Sequence, residues 1–394
     1  MLPEMWGACT GKSRKRLGAP HPLYFARPPR MSAEPGRSVS RRSLLEGALA
    51  GLLARPLHAL AATPAGDKPL VIDGLGEIHL DYPMALIDEI LGSGMTAVHV
   101  TLGNPALHGG DAFEDLLKEL AALEQHIDRH RDRLLKATRV ADVDRAGREG
   151  RLALLFGTQN ATPLLDRLDR LEWLHGLGLR CIQLTYNTRN LLGDGCMERT
   201  DAGLSRFGLE VIERMNTLGL LVDLSHCGPA TTDDGIAHSR SPVFISHSGC
   251  KAVFAHPRAK TDAQIKAMAD RGGVIGIYQI NPFLGPRERN SLDDYLNQID
   301  HAVRVGGSDH VAIGSDREHR VIPDTDEERR KLEDELAALG PRTKVEWPFF
   351  LSELNHPRRM QTVRAGLERR GYKSADVDKI LGGNLYRLFR DVIG

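Results

Sequence analysis

From residue 70 onward, short apolar runs rich in Val, Ile and Leu alternate with longer amphipathic stretches. That is the pattern of parallel strands buried on both faces and joined by crossover helices. The runs are Leu70-Val71-Ile72, Ala97-Val98-His99-Val100-Thr101, Leu152-Ala153-Leu154-Leu155-Phe156, Cys181-Ile182-Gln183-Leu184-Thr185, Leu220-Leu221-Val222-Asp223-Leu224, Val243-Phe244-Ile245, Val274-Ile275-Gly276-Ile277-Tyr278 and Val311-Ala312-Ile313, eight in all. Between them, residues 163–177 carry Leu at 164, 165, 168, 171 and 174, and residues 207–218 carry apolar side chains at 207, 209, 211, 212, 215 and 218. Both spacings predict a helix. Gly94, Gly178, Gly219, Gly272 and Gly306 each stand just ahead of a run, where a left-handed cap would turn the chain back. Eight such units with right-handed crossovers close most economically into a (β/α)8 barrel of the α/β class. An open doubly wound sheet would carry a Gly-rich phosphate loop after its first strand, and Asp73-Gly74-Leu75-Gly76-Glu77 imitates one poorly. The charged residues 320–345 read as a loop insertion, and 360–370 and 374–392 as two closing helices.

The first 61 residues break this pattern. They hold ten Lys and Arg against three acids, and no period that could build a core. Ser40-Arg41-Arg42-Ser43-Leu44-Leu45, a weakly apolar stretch over 47–53 and the small-residue Ala59-Leu60-Ala61 follow in the order of a twin-arginine export signal. Met31 would give that signal an ordinary length. Residues 1–61 are therefore expected to be an export region, and 62–394 one barrel domain in the periplasm or otherwise exported. Without residues 1–61 the formal charge is 42 − 49 = −7. That balance lacks the basic footprint nucleic acid requires, and no apolar stretch of about 20 residues spans a membrane. Cys181, Cys196, Cys227 and Cys250 show no metal-ribbon spacing. They read as free or buried thiols, with a Cys227–Cys250 bridge left open.

In such a barrel the chemistry sits where the strands end, because eight loops converge there on one mouth. His226 in Asp223-Leu224-Ser225-His226 and His247 in Ile245-Ser246-His247-Ser248 directly follow consecutive runs, so both should face the mouth and could share one zinc ion. Asp316, in Ile313-Gly314-Ser315-Asp316, is placed to accept a proton from a metal-activated water or to bind the metal itself. Arg258 could grip a carboxylate with two parallel hydrogen bonds.

At this point the chain resembles the membrane (renal) dipeptidase family, zinc peptidases on the amidohydrolase-type barrel. The resemblance runs from about Val71 to Phe389. It is carried by Arg180-Cys181-Ile182-Gln183-Leu184-Thr185-Tyr186-Asn187, Val222-Asp223-Leu224-Ser225-His226, Ile245-Ser246-His247-Ser248, Gly314-Ser315-Asp316 and Gly382-Gly383-Asn384-Leu385-Tyr386-Arg387-Leu388-Phe389. It implies that His226 and His247 hold one zinc, that Arg258 binds the free carboxylate of a dipeptide, that Asp316 manages the proton of the attacking water, and that the protein is a homodimer. It also implies a second zinc on a His-x-Asp after the first run, with a bridging Glu after the third. Here the chain departs: Leu75 stands at the His position, Glu77 at the Asp position and Gln159 at the bridging Glu. A neutral amide cannot offset the repulsion of two adjacent cations, so one ion is expected. His79-Leu80-Asp81 also reads His-x-Asp but lies past the strand end. Tyr186 stands where the family usually has a substrate-contacting His; a phenol can donate a hydrogen bond but cannot be a cation.

Three functions are compatible with this chemistry. The first is metal-dependent hydrolysis of dipeptides or related small amides, with Asp316 and Tyr186 as catalytic groups, Arg258 on substrate, and His226, His247 and, as lesser candidates, Glu77 and Gln159 on the metal. The second is a different reaction on the same scaffold, such as maturation of an exported peptide or siderophore precursor. The third is a binding protein without catalysis.

Overall fold

The computed structural model describes residues 69–286, 291–338 and 345–394; the export signal read in residues 40–61 lies outside them. Nine strands form one sheet: β1 (Ile72–Asp73), β2 (Ala97–Thr101), β3 (Leu134–Ala137), β4 (Leu152–Thr158), β5 (Leu179–Gln183), β6 (Leu221–Asp223), β7 (Phe244–Ser248), β8 (Val274–Ile277) and β9 (Val311–Ile313). Eight of them pair in parallel in the order β1-β2-β4-β5-β6-β7-β8-β9. The Gly74 N–H donates to the Ile313 carbonyl at 2.8 Å, which returns β1 to β9 and closes the ring. These eight are the eight apolar runs, and the (β/α)8 barrel is the architecture observed.

The ninth strand was not legible. β3 pairs with the first half of β4, from Leu134↔Leu152 to Ala137↔Leu155, and β5 takes over from Phe156. Four residues interrupted by Lys136 do not make an apolar run. At the barrel wall Lys136 pairs with Glu124 and lies 5.1 Å from the centre of the Phe156 ring.

Alternation along the strands sorts side chains into two layers. Ile72, Ala97, Cys181, Leu221, Phe244, Val274 and Ala312 pack with Leu385, Leu388 and Phe389, so the last helix (Asn384–Ile393) plugs the lumen at the strand starts. Their neighbours, among them Val98, Ile182, Val222, Ile245 and Ile275, face the outer helices. Two residues further along four of these strands the lumen turns polar, at His99, Gln183, Asp223 and Ser246, all buried. Apolar floor and polar mouth are thus written into the same strands.

Local chemistry sets the helix ends. The helix Arg206–Leu218 starts where the Ser205 hydroxyl accepts from Gly208 N–H and stops at Gly219, whose φ is +72°. Gly94, Gly178 and Gly272 also have positive φ, but the turn expected at Gly306 is made by Gly307, with φ +91°; Gly306 is the last helical residue. Residues 163–177 form a short turn (Thr162–Leu164) and a helix only from Arg170 to Gly176. Leu165 at φ +52° breaks the predicted continuity between them. The stretch read as a loop over 320–345 contains a helix, Asp326–Ala338. No helix among the described residues is long and apolar enough to cross a membrane. The four described cysteines are free, which closes the Cys227–Cys250 alternative.

Candidate active site

His226 and His247 reach the mouth by different means. His226 lies three residues past the end of β6. His247 lies within β7, where the pairing with β8 slips between Ile245 and Ser248. A regular strand would send Ser246 and His247 to opposite faces; the irregularity lets both take part in one buried network. It is accommodated because Gly276 and Gly314 flank the Ser246 carbonyl, where a Cβ would come within 2.1 and 1.7 Å of that oxygen.

The two rings meet with Nε2 atoms 3.0 Å apart. His226 Nδ1 faces Asn187 Oδ1 at 2.8 Å. The Cys196 thiol also donates to that oxygen at 3.7 Å, so the amide presents its acceptor side and the ring carries hydrogen on Nδ1. His247 Nδ1 lies 2.7 Å from Ser246 Oγ. Burial pulls the pKa of His226 well below the usual imidazole value, and the neighbouring Arg258 and His247 add to this. Burial likewise pulls His247 down to about 4, against the opposing pull of Asp316. The lowered pKa values favour the neutral form of both rings at pH 7, and hydrogen on His226 Nδ1 leaves the Nε2 lone pair of that ring facing Nε2 of His247. With hydrogen on Nδ1 of His247 as well, the two lone pairs would repel unless a cation lay between them. Two nitrogens bound tetrahedrally to one zinc at its usual bond length would sit about 3.3 Å apart, so the pair fits one ion.

Around this pair the other candidates gather. Asp316 has its backbone in the left-handed region, φ +54°, held by its N–H donating to the Leu75 carbonyl at 2.9 Å. Its Oδ1 comes within 3.8 Å of His247 Nε2, and its Oδ2 accepts from Arg258 Nη2 at 3.0 Å. Arg258 is buried, with Tyr278 and Phe283 ring centres 5.4 and 5.7 Å from its guanidinium carbon. Burial works against its charge, but Asp316, Tyr186 and Tyr278 hold its pKa above the ordinary guanidinium value. Tyr186 stacks on His226 with centroids 4.3 Å apart, and burial raises its pKa, keeping the phenol a donor.

Glu77 and Gln159, the lesser metal candidates, each have another partner. Gln159 donates from Nε2 to Thr101 Oγ1 at 3.2 Å. Leu75 is buried and apolar. Glu77 Oε2 lies 3.1 Å from His79 Nε2, which is 3.7 Å from Glu318 Oε2. Among the described residues, Glu77, His79 and Glu318 are the one set of three metal-capable side chains whose ligand atoms lie within 4.8 Å of one another. Glu318 already receives Arg320 on both oxygens, and Arg320 also pairs with Glu328, so one guanidinium offsets part of the negative charge of this rim group. Sequence reasoning gave no role to Glu318, Asp223, Ser246 or Lys260. Lys260 is buried, donates to the Cys227 carbonyl and Thr232 Oγ1 at 2.9 and 3.0 Å, and has its pKa lowered by burial. A serine beside a strand-end histidine was the visible signal for Ser246; Lys260 gave none.

Comparison with known proteins adds a lineage to this geometry. The family model of membrane dipeptidase, peptidase family M19, matches residues 68–342. A Klebsiella pneumoniae protein, described as lying in the pqqA 5' region, is 30% identical over 293 residues, covering 72% of this chain and 98% of its own. Dipeptidase verJ of Clonostachys rogersoniana is 33% identical over 210 residues, 52% of this chain and 53% of its own, so the chain spans about half of that relative. Among solved structures, an amidohydrolase from Pseudomonas aeruginosa shares 30% identity with a TM-score of 0.73, covering 82% of this chain and 96% of that chain.

Proposed function

We propose that this chain, which belongs to the membrane dipeptidase family, hydrolyses dipeptides or related small amides with a single zinc ion held by His226 and His247. One observation carries the reading: two buried imidazoles bring their Nε2 atoms within 3.0 Å of each other in the mouth of the barrel. A divalent cation bound there supplies Lewis acidity, polarising a carbonyl and easing ionisation of a water. Asp316 Oδ1, 3.8 Å from His247 Nε2, takes the proton of the attacking water and returns it to the leaving amine. Arg258 binds the substrate's free carboxylate with the donors not engaged by Asp316. The Tyr186 phenol donates a hydrogen bond to the oxygen that gains charge. One ion rather than two is favoured because Leu75 offers no ligand atom, Gln159 bonds Thr101 and Glu77 bonds His79. Export by the twin-arginine route to the periplasm is part of the proposal and rests on the order of elements in residues 40–61.

Purified full-length chain loaded with zinc and assayed on a broad panel of L,L- and L,D-dipeptides tests the reading. Hydrolysis is expected, and His247→Ala should abolish it. A zinc-loaded protein inert on the whole panel would refute the dipeptidase reading. The altered second-metal positions then favour the same barrel acting on another exported peptide or siderophore-type precursor, and zinc content separates that from a metal-free binding protein.

A further inference from the structure

We propose that Asp223, which touches neither ring of the histidine pair, is a positioning residue that sets the tautomer of His247 through the Ser246 hydroxyl, and thereby the cation affinity of the site. The inference rests on the reading that His226 and His247 hold the metal.

Proton counting carries it. Asp223 ends β6 inside the lumen and is fully buried. Four donors converge on its carboxylate: Ser225 N–H at 3.0 Å, Ser225 Oγ at 2.6 Å, Ser246 N–H at 3.1 Å and Ser246 Oγ at 2.5 Å. Ser246 has one hydroxyl hydrogen, and it is spent on Asp223 Oδ2 at 2.5 Å rather than on Ser225 Oγ, which lies farther off at 3.0 Å and gives its own hydrogen to Asp223 Oδ1 at 2.6 Å. Toward His247 Nδ1, 2.7 Å away, that oxygen can therefore only accept. His247 must carry its hydrogen on Nδ1, which leaves Nε2 bare for a cation. The Ser225 hydroxyl oxygen accepts the His247 backbone N–H at 3.1 Å, so the same carboxylate also anchors the ring's main chain through a second serine. Partners one step behind a metal ligand commonly fix its tautomer and orientation. Here the carboxylate acts across an intervening hydroxyl.

Replacing the carboxylate by an amide reverses the chain. In Asp223→Asn the new NH2 can donate to Ser246 Oγ, which then turns its hydrogen onto His247 Nδ1. The ring proton moves to Nε2 and caps the nitrogen the cation needs. Ser246→Ala instead removes the relay and leaves Nδ1 without its acceptor.

The test uses full-length wild type, Asp223→Asn and Ser246→Ala. Imidazole nitrogen NMR of the metal-free proteins at pH 7 reads the tautomer, and competition titration with a chromophoric chelator reads zinc affinity. Wild type should show His247 protonated on Nδ1 and bind zinc. Asp223→Asn should show hydrogen on Nε2 and bind zinc about 10–100-fold more weakly; Ser246→Ala should also weaken binding. Wild-type tautomer and affinity within threefold in both variants would overturn the relay while leaving the metal reading intact. A wild type that binds no zinc would overturn both. If Asp223→Asn does not fold, Ser246→Ala decides alone by the same two readouts.

Discussion

Gly314→Ala measures how tightly the shelf beneath His247 is built. Gly314 follows β9, and a Cβ on it would lie 1.7 Å from the Ser246 carbonyl oxygen, 2.8 Å from its carbon and 3.3 Å from His247 Cα. Carbon and oxygen rest no closer than about 3.3 Å even in a favourable contact, so the two backbones must part by about 1.5 Å. Neither partner is a side chain that can swing away, since both belong to the barrel wall. The cost belongs at the upper end of the range of about 1–3 kcal/mol for overpacking a close-packed core. The same displacement moves His247 and spreads the imidazole pair, so zinc affinity should fall at least tenfold. Gly147→Ala is the matched control. It lies on an exposed face of the helix Val140–Glu149, and its Cβ would meet only Thr96 Cγ2, at 3.5 Å. Alanine is preferred to glycine within a helix by about 0.8–1.0 kcal/mol. Urea unfolding of metal-free protein at pH 7, followed by zinc titration of the folded proteins, reads both effects. Gly314→Ala should lose about 3 kcal/mol and bind zinc weakly, whereas Gly147→Ala should gain up to about 1 kcal/mol with unchanged zinc affinity. A Gly314→Ala protein with wild-type stability and zinc affinity would show that β7 and β9 are not in the contact described.

Native wild-type protein should carry one zinc per chain by plasma emission; two tightly held equivalents would refute the single-ion reading. Arg258→Lys should raise KM at least tenfold for dipeptides with a free carboxylate but change KM little for the matching amides, because lysine loses the bidentate fork; equal effects on both would refute a carboxylate-binding role. Metal-free protein should weaken in mild acid. His247 and His319 are buried with pKa pulled from 6.5 down to about 4, so the unfolded chain binds protons there first and stability falls as pH drops from about 6.5 toward 4. Each should cost about 2 kcal/mol between pH 7 and 5, read as a lower urea midpoint; a midpoint that holds or rises would contradict their burial as neutral rings.

The barrel and the approach of His226, His247 and Asp316 to its mouth were legible because apolar runs of fixed period dictate them: a side chain just past a buried parallel strand has one end of the ring to occupy. What was lost depends on partners distant in sequence. Glu77 sits at a strand end and so reaches the rim, but His79, Tyr82 and Glu318 decide where its carboxylate turns. Tyr82 donates toward the Glu77 carbonyl and toward Glu318, which is 236 positions away from it. Position in a strand therefore identifies which residues can reach the mouth and leaves open which of them become ligands. The same limit applies inside β7. Period-two alternation assigns Ser246 and His247 to opposite faces, and only the slip against β8, permitted by glycines at 276 and 314, joins them in one network. The feature that prepares His247 for a cation is thus written in two glycines on neighbouring strands, residues that a search for chemistry passes over because they have none.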